Sequence, residues 1–164
     1  MAVIVAIVVG LILLVPRPNE VVQPDINVAS AAAGARPRLA FEPSVPTGLP
    51  SGWSAKSATA QRGTDGVVTW RLNYVTPSKR FAGVSQAAAP TDRWEDRQVT
   101  DGREQGTREV AGLQWVIRSR TDRGITSWVL RQPGLTTIVT GTAPDVELTA
   151  LATGLRLSQR TSAP

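Results

Sequence analysis

Residues 113–131 can pair with themselves in one register only, and that constraint makes the chain a sheet builder. Leu113, Trp115 and Ile117 alternate with Gln114, Val116 and Arg118, while Thr126, Trp128 and Leu130 alternate with Ser127, Val129 and Arg131. A turn-forming tetrapeptide, Thr121 to Gly124, separates the two runs. Pairing Arg120 with Ile125 sets Ile117 opposite Trp128 and Trp115 opposite Leu130, so both apolar sets share a face. A slip of one residue would oppose apolar to polar along the whole hairpin. The alternation therefore predicts an antiparallel pair with one buried face.

The same period recurs upstream, where Val68, Trp70, Leu72 and Tyr74 alternate with Thr69, Arg71 and Asn73. Further strands are expected at 54–60, 81–86, 107–111 and 135–141, divided by Gly-, Pro- and Asp-containing turns. A short helix is expected within 90–100, with Thr91 or Asp92 as its cap and Trp94 turned inward. At the C-terminal end Leu148, Leu151, Ala152 and Leu155 recur at helical spacing. Thr142 and Asp145 fit a capping box there, and Pro144 is tolerated in a first turn. The expected class is α+β: an antiparallel sheet of about six or seven strands with a C-terminal amphipathic helix.

The N-terminal end obeys a different rule. Met1 to Val15 carries no charged or polar side chain. As a helix it would rise about 22 Å, short of the ~30 Å hydrocarbon core of a bilayer. A cleaved signal peptide is the competing reading, but no basic residue precedes the run and no small-x-small site follows closely. The expectation is one N-terminal transmembrane anchor at 1–15 whose true start lies upstream, which would supply the missing length and cytoplasmic positive charge. Pro16 and Pro18 end it. A flexible Pro/Ala-rich linker is expected over 16–40, the extracytoplasmic domain over 41–158, and a disordered tail over 159–164. The expected address is the plasma membrane, single-pass, with the C-terminal domain outside the cytoplasm.

Composition removes several chemistries. With no Cys and no His, the chain has no disulfide, no Cys/His zinc site, no Cys nucleophile and no Ser-His-Asp triad. Carboxylates offer little more. Glu95 and Asp96 are adjacent on a short helix, Asp101 and Glu104 flank a glycine, and Asp92/Glu95/Asp96 is interrupted by Arg93 and Arg97. Solvated acids and ion pairs account for these better than acid–base or metal chemistry. Ser54 with Lys56 and Ser78 with Lys79 lack the helical spacing of Ser-x-x-Lys enzymes. No glycine-rich phosphate loop is present. No catalytic, cofactor or metal residue is assigned.

Basic residues outnumber acidic ones 18 to 13, and all but Lys56 and Lys79 are arginine. Their dispersal argues against nucleic acid as a partner. The register nevertheless puts Arg71, Arg118, Arg120 and Arg131 on the sheet face opposite the tryptophans. As a functional patch they would meet anionic lipid head groups or an anionic wall polymer; as a bland one they are a solvated face. The expected function is a non-catalytic binding or interaction module of the cell envelope. The alternatives are an extracytoplasmic sensor acting through the anchor, or an envelope enzyme.

Four segments in a fixed order carry a resemblance: Leu49 to Trp53, Trp70 to Pro77, Gly112 to Trp115, and Thr140 to Ala143 leading into the apolar helix. In this order the chain resembles an actinobacterial family of uncharacterised single-pass envelope proteins, across nearly its whole length. That family usually carries basic residues before its anchor, whereas this sequence begins at the apolar block. The resemblance implies an address and a fold, and no activity. More distantly, the strand-rich domain with its terminal helix is similar to extracytoplasmic PsbP-like and anti-sigma-type sensor domains.

Overall fold

The hairpin pairs as its alternation requires. In the computed structural model, which describes residues 25–157, Arg120 lies opposite Ile125, Ile117 opposite Trp128 and Val116 opposite Val129. Seven strands form one antiparallel sheet: β1 (Ser54–Arg62), β2 (Val68–Val75), β3 (Phe81–Ala87), β4 (Arg103–Val110), β5 (Leu113–Arg120), β6 (Ile125–Gln132) and β7 (Leu135–Gly141). Their spatial order is β1-β2-β3-β7-β6-β5-β4. Two meanders thus meet at the β3–β7 pair. The chain leaves β3 at the centre, crosses one face as helix α2 (Asp92–Gln98), and enters the far edge as β4. Helices α1 (Val28–Ala35) and α3 (Asp145–Gly154) flank the strands in sequence.

The face carrying Trp70, Leu72, Tyr74, Trp115, Trp128 and Val139 holds the main core, covered by α3, α1 and the segment between α1 and β1. Leu148, Leu151, Ala152 and Leu155 of α3 are all buried against it, as their spacing predicts. Trp115 and Trp128 are 1% and 0% exposed. Burial of each such side chain removes well over 100 Å² of apolar surface from water, the dominant favourable contribution to folding. Gly141 marks where this face closes. A Cβ there would stand 2.3 Å from the Phe81 carbonyl oxygen and 3.0 Å from the Ala82 Cα.

Three local expectations need correction. The flexible linker expected over 16–40 is, in its described part, a piece of the fold. Asn27 Oδ1 accepts the Ser30 amide at 3.0 Å and starts α1. Ala32 and Ala35 are buried in the core, and the Ile26 amide donates to the Ala55 carbonyl at the edge of β1. Alanine supplies helix propensity and close approach without the large-residue stripe that signals an amphipathic helix. At α3 the expected capping box is absent: Pro144 is the N-cap without a side-chain bond, while Thr142 Oγ1 accepts the Phe81 amide. Strand β4 also begins earlier than expected, at Arg103, because its first residues are exposed on an edge and show no alternation. The anchor expected at 1–15, the remainder of the linker and the tail at 159–164 lie outside the described residues. Among the described residues no helix is long and apolar enough to cross a membrane.

Candidate functional site

The second face of the sheet is divided. Over β5, β6 and β7 it is closed by α2, whose Thr91 cap accepts the Trp94 amide. Trp94 and Val99 pack with Ala87, Val129 and Ile138 into a small second core. The Trp94 indole donates to Thr69 Oγ1 at 2.8 Å, so its only polar atom is satisfied. Towards β1 and β2 this face carries Thr59, Arg71 and Asn73; Gly83 and Ser85 of β3 are buried beside them, and the end of α2 reaches this half through Trp94 on Thr69 and Gln98 on Arg71 and Ser85.

The arginines singled out from sequence all lie on this second face; Arg131 and Arg118 strap α2 down, and Arg120 holds the segment that follows it. Arg131 donates through Nε to Glu95 Oε2 at 2.8 Å, which raises its pKa above the ordinary guanidinium value. Arg118 donates to the Gly102 carbonyl at 2.7 Å and to Asp96 at 3.2 Å, and lies 3.6 Å from Glu95. Arg120 donates to the Thr100 carbonyl at 3.0 Å and to Asp122 at 3.2 Å. Hydrogen bonding from Arg120 holds the Asp122 carboxyl below the usual range. Glu95 and Asp96, expected from sequence as solvated acids or surface ion-pair partners, are partners of these guanidiniums. Glu95 is 8% exposed. An arginine whose charge is matched by a nearby carboxylate adds little to a free cationic surface.

Arg71 differs from the other three. It points to the open half, where Nη2 donates to Gln98 Oε1 at 2.8 Å; Ser85 Oγ donates to the same oxygen at 3.2 Å. Two hollows flank this point. One, of about 160 Å³, is lined by three guanidiniums, Arg62, Arg71 and Arg97, against one carboxylate, Asp65. Arg97 is ion-paired with Asp65, whose other oxygen accepts the Val67 amide at 3.2 Å. The second, of about 300 Å³, runs from Arg71 past Asn73 and Ser85 to Phe81 and Thr140. Phe81 is 42% exposed, one of the few large apolar side chains at the surface. Its ring leans over Gly83, since a Cβ there would lie 3.0 Å from Phe81 Cζ and 3.1 Å from Asn73 Oδ1.

A larger hollow of about 550 Å³ sits by Arg103, Gln105 and Ser119, but Arg120 and Asp122 in it are bonded to one another. Ser54 Oγ donates to Asp25, and Lys56 Nζ lies 3.4 Å from the same carboxylate, at an exposed corner. Among the described residues no group of three acids could hold a metal. Tyr74 lies under the main core, where burial pushes its phenol up to about 12, so it stays protonated at ordinary pH.

A family model described as "Protein of unknown function (DUF4245)" matches residues 1–155. The chain belongs to this family. Among curated proteins, none is detectably similar to it. DUF4245 membership thus covers both the sheet domain and the apolar N-terminal run, and carries no named activity with it. Sequence reasoning found Arg71 but missed Phe81, Asn73, Ser85, Arg97 and Gln98. Their signal was present in part: Phe81, Gly83 and Ser85 alternate with Ala82 and Val84, which assigns them to the face opposite the main core.

Proposed function

We propose that this DUF4245 chain is a non-catalytic binding module of the cell envelope, held by an N-terminal anchor with its sheet domain outside the cytoplasm. One observation supports the binding role above others: the second face keeps a polar, positively charged groove open around Arg71 and Phe81. Antiparallel sheets commonly leave one face to solvent, and what supports binding here is the concave shape with convergent polar groups, the kind of region where ligands bind. The uncharged run from Met1 to Val15 supports the anchor, and the absence of His and Cys supports a role without chemistry.

The address is tested on the full chain with reporters fused after Gln159. A reporter that works only outside the cytoplasm should be active, with the protein in the membrane pellet. Activity of a reporter that works only inside the cytoplasm, or a shortened product in the culture fluid, would contradict the anchored reading.

A further inference from the structure

We propose that the open groove takes an acidic oligosaccharide, with a carboxylate or phosphodiester group at Arg71, beside the Arg97–Asp65 pair, and one sugar ring stacked on Phe81. The proposal deepens the reading of this half-face as a binding surface, and it rests on that reading. Three features of the groove converge on it. The first is charge: Arg62, Arg71 and Arg97 face a single carboxylate, Asp65, so the hollow they line has an excess of positive charge. Guanidinium forks match carboxylate and phosphate oxygens geometrically, and the bond from Arg71 to Gln98 engages one of five donors. The second is the lining. Thr59 and Gln61 offer a hydroxyl and an amide, each able to donate and accept, and Asn73, whose Nδ2 donates to Ser57 Oγ, adds its amide oxygen as an acceptor, which suits a polyhydroxylated chain.

The third is the platform. Phe81 lies over Gly83, so one side of its ring is against the strand while the residue keeps 42% of its exposure. A flat, solvent-facing aromatic beside hydroxyls and amides suits the C–H face of a pyranose. Phe81 and Ser85, the neighbour of Arg71 across the β2–β3 pair, are separated along β3 by about 13 Å of strand. That spacing lets one sugar stack while another, further along the same chain, presents its acid to Arg71. A free anion would use only the cationic end, and a neutral sugar only the platform; the groove has both on one line.

The test uses the full chain in neutral detergent micelles, titrated by calorimetry at low and moderate salt. The probes are tetragalacturonate, a phosphodiester-linked mannose oligomer, and neutral galactotetraose. At least one acidic oligomer should bind about tenfold more tightly than the neutral one, with affinity falling as salt rises. Which acidic arm binds tells carboxylate from phosphodiester. Phe81→Ala should weaken it by about three- to tenfold, and Arg71→Gln by about tenfold. Arg103→Gln, an exposed charge outside the groove, should leave binding unchanged, and tryptophan fluorescence should report a native fold in all three variants. Equal binding of acidic and neutral oligomers, binding of none, or an equal loss in Arg103→Gln would overturn the proposal. Failure here with a correctly placed reporter leaves the anchored reading standing; a misplaced reporter sinks that reading whatever the titration shows.

Discussion

The two faces of the sheet use the same strands for opposite purposes. On the first, Trp70, Trp115, Trp128 and Leu72 are essentially inaccessible and are sealed by helices. On the second, arginine and carboxylate pairs hold a single two-turn helix over half of the surface, and the rest stays polar and open. The first face is held by hydrophobic burial, which is insensitive to salt and ordinary pH. The second is held by ionic and hydrogen-bonded contacts that are individually weaker and partly screened. A sheet that satisfies its stability on one face can leave the other available for binding.

The largest expected effect is on the closed face. Trp115→Ala should cost about 3–5 kcal/mol, the usual range for truncating a buried large aromatic. Urea unfolding followed by fluorescence measures it, and a loss below about 1 kcal/mol would place Trp115 outside the core. Next comes the strap on α2. Glu95→Ala should cost about 1–2 kcal/mol, because Arg131 and Arg118 lose a partner but Arg131 retains access to water. High salt should shrink that difference and leave the Trp115→Ala difference unchanged. Equal salt sensitivity of the two variants would erase the distinction between the faces.

Smaller still is Glu147, which ties α3 to the β2–β3 turn by accepting the Ser78 amide at 3.0 Å and its hydroxyl at 2.7 Å. Burial pushes its pKa up, but the hydrogen bonds from Thr76 and Ser78 outweigh that and hold it below the usual range. A depressed folded-state pKa contributes stability above the unfolded value, lost as pH falls through the folded one. The parent should therefore lose slightly more stability than Glu147→Gln between about pH 5 and 3, by under about 1 kcal/mol. A larger acid loss in the variant would reverse the sign.

The closed face was legible in the sequence because its residues are local and periodic. Trp115 with Ile117, and Trp128 with Leu130, declare their shared face within one hairpin, and Leu148, Leu151 and Leu155 declare the helix that covers it. The order of the strands was not legible, since the β3–β7 pair joins residues 49 to 59 positions apart in sequence. Helix α1 was missed because its buried positions are Ala32 and Ala35, too small to mark an apolar stripe. On the second face, alternation assigned Arg71, Arg118, Arg120 and Arg131 to one side but could not show what lay over them. The acids of α2 sit near Arg118 and Arg131 only because the crossover carries that helix across the sheet. The groove was hidden for the same reason: Arg71, Phe81 and Arg97 come from β2, β3 and α2.

One variant separates the two faces most directly. Phe81→Ala removes a large apolar side chain from the open half, where it supports no core cluster. Its unfolding free energy in urea, measured beside its affinity for the acidic oligomers, gives both answers from one protein. The expected result is a stability within about 0.5 kcal/mol of the parent together with weakened binding. A loss of stability above about 1.5 kcal/mol with binding retained would make Phe81 a core residue and contradict the division between the faces.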